Sequence, residues 1–560
     1  MSCKFSWLNN HKHFPLTEFP VLKSKMTCLP VLWVLVSISL GFEIPTAIKT
    51  NIGKILGVRH TELYTQKTVY EFRKIPYAKP PVGPLRFERP RPYGRWIGTL
   101  DATKFGPSCY QDLDTTSTAF LPNTDISEHC LFLNIYVPYN VSKDNNKTVM
   151  VWIHGGDFLQ GQGMTFNGAM LACISDVIVV TVNYRIGLFG FLSTGDSAAE
   201  GNYGLWDQRL ALIWIRNCIK SYGGDPESIT VFGHSAGAMS ISLHSLYNGN
   251  KDLFKRIILQ SGFGTSPLSL STNVPHHTQK IARLVNCLSD NTTIVVECLR
   301  QTKSDDLQSA FRNIMNKLDT PSLSPLFGPR VCGKYITDHP SLLLQSPHSN
   351  DFYQSLDILI GNVDNEGSKY LELLQNYQQK YNFNISGGIP NSVLCEYIAP
   401  LVSSQIYNGN SAVSAAVCNE YGRGLTLEKQ SSNQIDFYGD LMFYSPTVVG
   451  LDIHSKRNSS SKLFQYIFKR QTALSLTKKM PSWVDGVAHG GEIFFVFPFL
   501  EMLTLSPPDG NLLKYNKLKE SKVQVLLISV LLRLILYSHQ SFLTEQNSLK
   551  LHVVHVTSVV

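Results

Sequence analysis

The chain has 560 residues, of which 43% are hydrophobic, 11% aromatic and 16% charged. That apolar content is too high, and that charge too low, for a disordered chain, and 39 Gly with 28 Pro exclude a collagen-like or low-complexity one. The net charge of +8 is scattered without a basic run, which argues against a nucleic-acid-binding stripe.

Near the N-terminus, Met26 to Phe42 (MTCLPVLWVLVSISLGF) follows Lys23 and Lys25. A charged start, a short apolar stretch and small residues near Ser39 to Gly41 read as a signal peptide, with Met26 as the expected start of the chain. A buried helix or strand and an uncleaved anchor are the alternatives. No stretch of about 20 uncharged apolar residues occurs, so no stable membrane span is expected. Val523 to Tyr537 is strongly apolar but carries Arg533, which favours a buried helix or strand there.

Eleven cysteines fit an oxidising compartment. Cys3 and Cys28 would leave with the leader, so an odd number remains and at least one free thiol is expected. Cys109 with Cys130, and Cys287 with Cys298, are plausible loop closures, although counting does not fix pairing. Sequons at Asn140, Asn146, Asn291, Asn384 and Asn458 point to the same compartment.

Residues 149–270 carry the clearest pattern. Val149 to Ile153 is an apolar run that ends in His154-Gly155-Gly156, a buried strand feeding a tight loop. Residues 177–185 (VIVVTVNYR) form a second strand. Leu205 to Tyr222 has helical apolar spacing and stops at Gly223-Gly224. Ser228 to Gly233 reads as a strand, Ala236 to Tyr247 as a helix and Lys255 to Gln260 as a strand. Asp357 to Gly361 and Leu463 to Phe468 are further strands, with polar helical segments between them as a cap. Alternating, uniformly apolar strands and helices predict an α/β fold: one domain with a large, mostly parallel central sheet and helices on both faces.

Gly233-His234-Ser235-Ala236-Gly237 lies between the third strand and its helix. A strand-to-helix turn with small residues around a serine is the context in which Gly-X-Ser-X-Gly presents a nucleophile. A serine hydroxyl needs a base, and the base an orienting carboxylate. Among 16 histidines, His489 in the Gly-rich stretch Asp485 to Glu492 is the best-placed base. Glu366, after the strand that ends at Gly361, is the acid, with Asp364 as its rival. Amides of Gly156, Asp157 and Ala236 are the candidate donors for a tetrahedral oxyanion. The Cys and His spacings match no metal-ligand set, so no metal or cofactor is expected.

At these residues the chain resembles the type-B carboxylesterase/cholinesterase family of α/β-hydrolases. Phe72 to Phe87, Ser127 to Pro138, Asn183 to Arg185, Gly201 to Arg209, Gly223 to Pro226 and Gln260-Ser261-Gly262 carry the likeness over about residues 45–500. The resemblance implies an α/β-hydrolase fold with Ser235 as nucleophile, Glu366 as acid and His489 as base. It implies an oxyanion hole from Gly155, Gly156, Asp157 and Ala236, and disulfides Cys109–Cys130 and Cys287–Cys298. It also pairs Arg86 with Glu128 and Arg185 with Asp440, and sets Ser261 near the acid. The expected function is a secreted serine esterase acting on a small-molecule carboxylic ester. A choline-ester hydrolase and a catalytically weak adhesion relative are the alternatives.

The departures from the family pattern sharpen this. Asp157 stands where the family usually has Gly or Ala, and a carboxylate there opposes the charge of an oxyanion. Weakened ordinary esterase activity, relieved by Asp157→Gly, is expected; Asp157 as a second base toward water is the alternative. Phe120 replaces the Trp, and His234 the Glu, with which cholinesterases bind choline, so a general carboxylesterase is favoured. The likeness ends near residue 500, which divides the chain into a prefix and leader (1–41), a catalytic domain (42–505) and a divergent tail (506–560).

Overall fold

The computed structural model describes residues 43–62, 65–112, 125–139, 142, 144–456, 460–470 and 480–497, together with the backbone of 551–556. The predicted leader, Phe120, Asn140, Asn458 and the apolar stretch 523–537 lie outside the described residues.

Among the described residues, twelve strands form one sheet. They are β1 (Ile44–Thr50), β2 (Gly53–Thr61), β3 (Thr68–Pro76), β4 (Thr99–Asp101), β5 (Phe132–Pro138), β6 (Lys147–Ile153), β7 (Ile178–Val182), β8 (Gly224–His234), β9 (Arg256–Gln260), β10 (Asp357–Val363), β11 (Leu463–Phe468) and β12 (Leu551–Val556). Their order is β1-β2-β3-β5-β7-β6-β8-β9-β10-β11-β12, with β4 beside β2. From β7 through β12 every neighbouring pair is parallel, whereas β1–β2, β2–β3, β3–β5 and β5–β7 are antiparallel and the short β4 runs parallel to β2. This is the α/β-hydrolase architecture that the resemblance implies, with a mixed sheet. The antiparallel end was not expected, because β1 to β3 are partly exposed and mix polar with apolar residues.

The uniform hydrophobicity of the central strands follows from their two covered faces. In β6, Val149, Val151 and Ile153 join one apolar core, while Met150 and Trp152 point into a second. Successive side chains of a strand face opposite ways, so both parities must be apolar when helices cover both sides. The second core is anchored by Trp152, whose ring lies 4.9 Å from Phe232 and 4.8 Å from Phe497. Edge strand β1 carries Pro45 and Lys49, residues that discourage pairing with another chain.

Between β9 and β10 lie helices Val274–Leu284, Thr292–Gln301 and Ser304–Asn316, and between β10 and β11 a longer helical insertion. Disulfides Cys109–Cys130 and Cys287–Cys298 are present. A third, Cys395–Cys418, ties the turn Val393–Ile398 to helix Ser411–Tyr421 and was not expected. Cys173, Cys218 and Cys332 are free thiols among the described residues. Asn146, Asn291 and Asn384 are all exposed, and Asn291 caps helix Thr292–Gln301.

Arg86 pairs with both carboxylate oxygens of Glu128, at 2.8 and 2.6 Å. The expected pairing of Arg185 with Asp440 is incorrect. Arg185 grips Asp207, with Nε and Nη2 each 2.7 Å from a carboxylate oxygen and its backbone N–H at 3.0 Å. Helix Tyr203–Cys218 carries Asp207 into the core beside Arg185, while Asp440 accepts a hydrogen bond from the Tyr421 hydroxyl at 2.8 Å. No helix among the described residues is long and apolar enough to cross a membrane.

Candidate active site

Ser235 stands between β8 and helix Ala236–Ser245 with φ 54° and ψ −123°, a conformation that side chains rarely adopt. Such strain costs about 1–3 kcal/mol and persists only where neighbours enforce it. Its backbone N–H donates to the Gln260 carbonyl at 2.8 Å, and its carbonyl accepts from Met239 N–H at 2.9 Å. The flanking glycines explain the motif. A Cβ on Gly233 would meet the Ile153 carbonyl oxygen at 2.6 Å, and one on Gly237 would meet it at 2.1 Å. On Gly262 it would sit 2.6 Å from the Ser235 carbonyl. The turn closes only because β6, β8 and the segment after β9 can touch backbone to backbone. Ser235 also starts a ten-residue helix, whose N-terminal end favours negative charge.

The candidate acid, Glu366, and the candidate base, His489, come from two loops on the C-terminal side of the parallel strands. β10 ends at Val363, and the turn after it carries Glu366. Glu366 is fully buried, with Oε1 accepting from Val363 N–H and the Asn362 side-chain amide, each at 3.1 Å. Its Oε2 lies 2.6 Å from Nδ1 of His489. A carboxylate only accepts, so Nδ1 carries the hydrogen and Nε2 is left with a lone pair. The His489 backbone N–H donates to the Ser368 hydroxyl at 3.0 Å, which ties the base to the acid's own turn. Asp364, the rival acid, instead accepts from Val487 N–H at 2.7 Å and so holds the loop of the histidine rather than its ring.

The loop after β6 presses against the serine turn. A Cβ on Gly155 would sit 2.5 Å from the His234 carbonyl oxygen and 3.2 Å from Ser235 Cβ. Gly156 has φ 112°, and a Cβ there would meet the Gln160 carbonyl at 2.2 Å. Asp157 and Phe158 follow with φ 56° and 61°. Phe158 is held by burial of its ring near Phe191 and by its carbonyl, which accepts from Gly187 N–H at 2.6 Å. His154 stacks on Tyr184 with ring centroids 4.4 Å apart, and burial holds its imidazole down at about 4, so it is neutral.

Two charged residues in this region were not expected. Lys369, three residues after Glu366, places Nζ 2.9 Å from an Asp157 carboxylate oxygen and 2.6 Å from Glu372. Burial acts to raise the Asp157 carboxyl, but Lys369 and His489 outweigh it and hold the group below its ordinary range. Burial would lower Lys369, yet Asp157 and Glu372 hold it above the usual lysine range. The signal in the sequence was a lysine directly after the acid turn.

The second is Glu492, three residues after His489 and buried. Burial first, and then the nearby Glu366 carboxylate, push it up to about 7. Its Oε1 lies 3.4 Å from the Ser261 hydroxyl and 3.9 Å from His234 Nε2. Ser261 therefore faces Glu492. Burial, with the charges of His489 and Lys369, lowers His234 well below the ordinary histidine range. The rings of His234 and His489 are 4.6 Å apart, and Phe443 lies 4.7 Å from His489 on another side.

Comparison with known proteins shows which sequences the chain resembles. The chain is 41% identical over 336 residues to the cholinesterase of Mus musculus, covering 58% of this chain and 54% of that protein. It is 33% identical over 482 residues to the acetylcholinesterase of Bungarus fasciatus, covering 83% and 76%. It is 30% identical over 497 residues to neuroligin-3 of Mus musculus, covering 80% and 57%. The chain thus spans just over half the length of the mouse cholinesterase and of neuroligin-3. The family model for carboxylesterases matches residues 45–530, past the point near 500 where the likeness was expected to stop. With the sheet order, the serine turn and this match together, the chain belongs to the carboxylesterase family.

Proposed function

We propose that the protein is a serine hydrolase of carboxylic esters. The observation that carries this reading is the buried Glu366–His489 contact of 2.6 Å beside a serine in the strained turn of the fold. In this reading Ser235 Oγ attacks the acyl carbonyl and its proton passes to Nε2 of His489. Nδ1–H stays with Glu366, whose buried charge stabilises the imidazolium. The oxyanion is met by amides of Gly155, Gly156, Asp157 and Ala236; removal of one donor typically costs about 2.7–4 kcal/mol. Collapse of the tetrahedral intermediate returns the proton to the leaving alcohol and leaves an acyl-enzyme. Water repeats the sequence and releases the acid. No cofactor enters any of these steps.

The substrate is a small neutral ester rather than a choline ester. Where cholinesterases carry a Glu for the choline cation this chain has His234, which burial keeps uncharged. Secretion, cleavage of residues 26–41 and glycosylation at the exposed sequons belong to the same reading. Mixing with p-nitrophenyl acetate tests it: an acyl-enzyme predicts a stoichiometric burst of p-nitrophenol that is absent in Ser235→Ala. Steady release at equal rates in both proteins would refute it.

A second reading is a binding role of the kind held by weakly catalytic family members. The 30% identity to neuroligin-3 over 80% of the chain favours it. The serine in its strained turn, together with the Glu366–His489 contact, favours the enzyme. A folded protein with no burst, which nevertheless captures a cell-surface partner, would support the second reading.

A further inference from the structure

Asp157 poses a problem for any oxyanion chemistry in this loop. Its amide is a candidate donor, yet its side chain carries a negative charge within one residue of the site. The residue has φ 56° and continues into Phe158 at φ 61°, so this stretch of backbone is held in a conformation that needs support. Phe158 has its own anchors in Phe191 and Gly187. The contact found for the Asp157 side chain is Lys369, at 2.9 Å.

Lys369 comes from the other half of the site. It directly follows the turn Glu366–Ser368 and starts helix Lys369–Leu374. That turn is rigid: Ser368 N–H donates to the Asn365 side chain at 3.0 Å, and the Ser368 hydroxyl accepts from His489 N–H. Glu372, one helical turn on, also holds the ammonium, at 2.6 Å. A lysine fixed in this way draws the carboxylate of Asp157 toward the acid turn. It also cancels a charge that would otherwise face the developing oxyanion.

We propose that Lys369 is a positioning residue of the active site, which clamps the oxyanion loop to the acid turn through Asp157 and neutralises the Asp157 carboxylate. The pair therefore acts as one unit, and Asp157 is tolerated in this chain because Lys369 accompanies it. This rests on the ester-hydrolase reading of the same site. It makes a specific demand on catalysis: loss of Lys369 harms the transition state, where the oxyanion exists, more than the bound ester, where it does not.

The test is a double-mutant cycle on p-nitrophenyl acetate hydrolysis with the full chain. Lys369→Met should lower kcat at least tenfold with little change in KM. Lys369→Arg, which keeps the charge, should recover most of that loss. Asp157→Asn/Lys369→Met should be at least tenfold more active than Lys369→Met, since removal of both charges also removes the conflict. Asn tolerates the left-handed backbone of this position. If Lys369→Met does not fold, Lys369→Gln keeps a donor without the charge and should show the same kcat loss. An unchanged kcat in the single variants, or a double variant no better than Lys369→Met, would overturn the proposal. A wild-type protein without burst or turnover would overturn the esterase reading itself, an outcome that the wild-type control separates from the cycle.

Discussion

Nδ1 of His489 and Oε2 of Glu366 stand 2.6 Å apart, although 123 residues separate them along the chain. The contact depends on two loops that lock each other: Asp364 takes the Val487 amide, and Ser368 takes the His489 amide. The same turn therefore supplies both an acid for the ring and acceptors for the loop that carries it. Glu366→Gln should drop kcat by about 10⁴, because an amide in place of the carboxylate can favour the wrong tautomer. Asp364→Asn keeps an acceptor oxygen for Val487 and should leave most activity. Steady-state rates of the two variants check this division of labour; equal losses would contradict it.

Strain at Ser235 gives a stability prediction opposite in sign to its activity effect. Glycine adopts positive φ without penalty. Ser235→Gly should therefore abolish turnover while raising stability by about 1 kcal/mol, the low end of the strain stored at such a residue. Chemical denaturation of the two proteins reads the difference. Gly237→Ala should do the reverse and destabilise strongly, since its Cβ would sit 2.1 Å from the Ile153 carbonyl.

Glu492 predicts a pH dependence of stability. Its pKa is raised from an ordinary 4.5 to about 7 in the folded protein. Between those values the native state holds a proton that the unfolded chain has released, so stability falls as pH rises through the window. The full effect is of order 3 kcal/mol, because each pKa unit corresponds to about 1.4 kcal/mol. Glu492→Gln removes the titration. Its Tm relative to wild type should rise progressively from pH 5 to pH 8, and a constant difference across that range would contradict the assignment.

The buried ion pair of Arg185 makes a third structural test. Asp207→Asn leaves a buried guanidinium without its counter-charge and should cost about 3–5 kcal/mol. Asp440→Asn touches a single part-buried hydrogen bond with Tyr421 and should cost about 1 kcal/mol. Comparable losses at the two sites would contradict the pairing.

Much of this was legible from residues alone. The strands β6, β8, β9, β10 and β11 declare themselves because each carries a continuous, mostly apolar run that is buried on both faces of the sheet. The serine turn declares itself because its glycines answer to backbone contacts that no side chain permits. Strands β1 to β3 do not, since a half-solvated antiparallel strand with Lys, Arg and Glu looks like a loop. β5 (FLNIYVP) is fully buried and legible as a strand in its own right, yet it lies outside the βα alternation that guided the reading. Arg185 shows the limit of resemblance: Asp207 and Asp440 are equally acidic on paper, and only helix Tyr203–Cys218 decides between them. Lys369 and Glu492 were missed for a related reason. Each is an ordinary charged residue three positions from a named one, and its role arises only from what the fold places beside it.

If Ser235 is an activated nucleophile, it reacts covalently with an electrophilic phosphonate. Folded wild-type protein is treated with a fluorophosphonate and the modified peptide is identified by mass spectrometry. One phosphonyl group is expected on Ser235, formed at a rate that collapses in His489→Ala and Glu366→Gln. Absence of labelling on folded wild-type protein, or labelling that persists unchanged in Ser235→Ala, would contradict it.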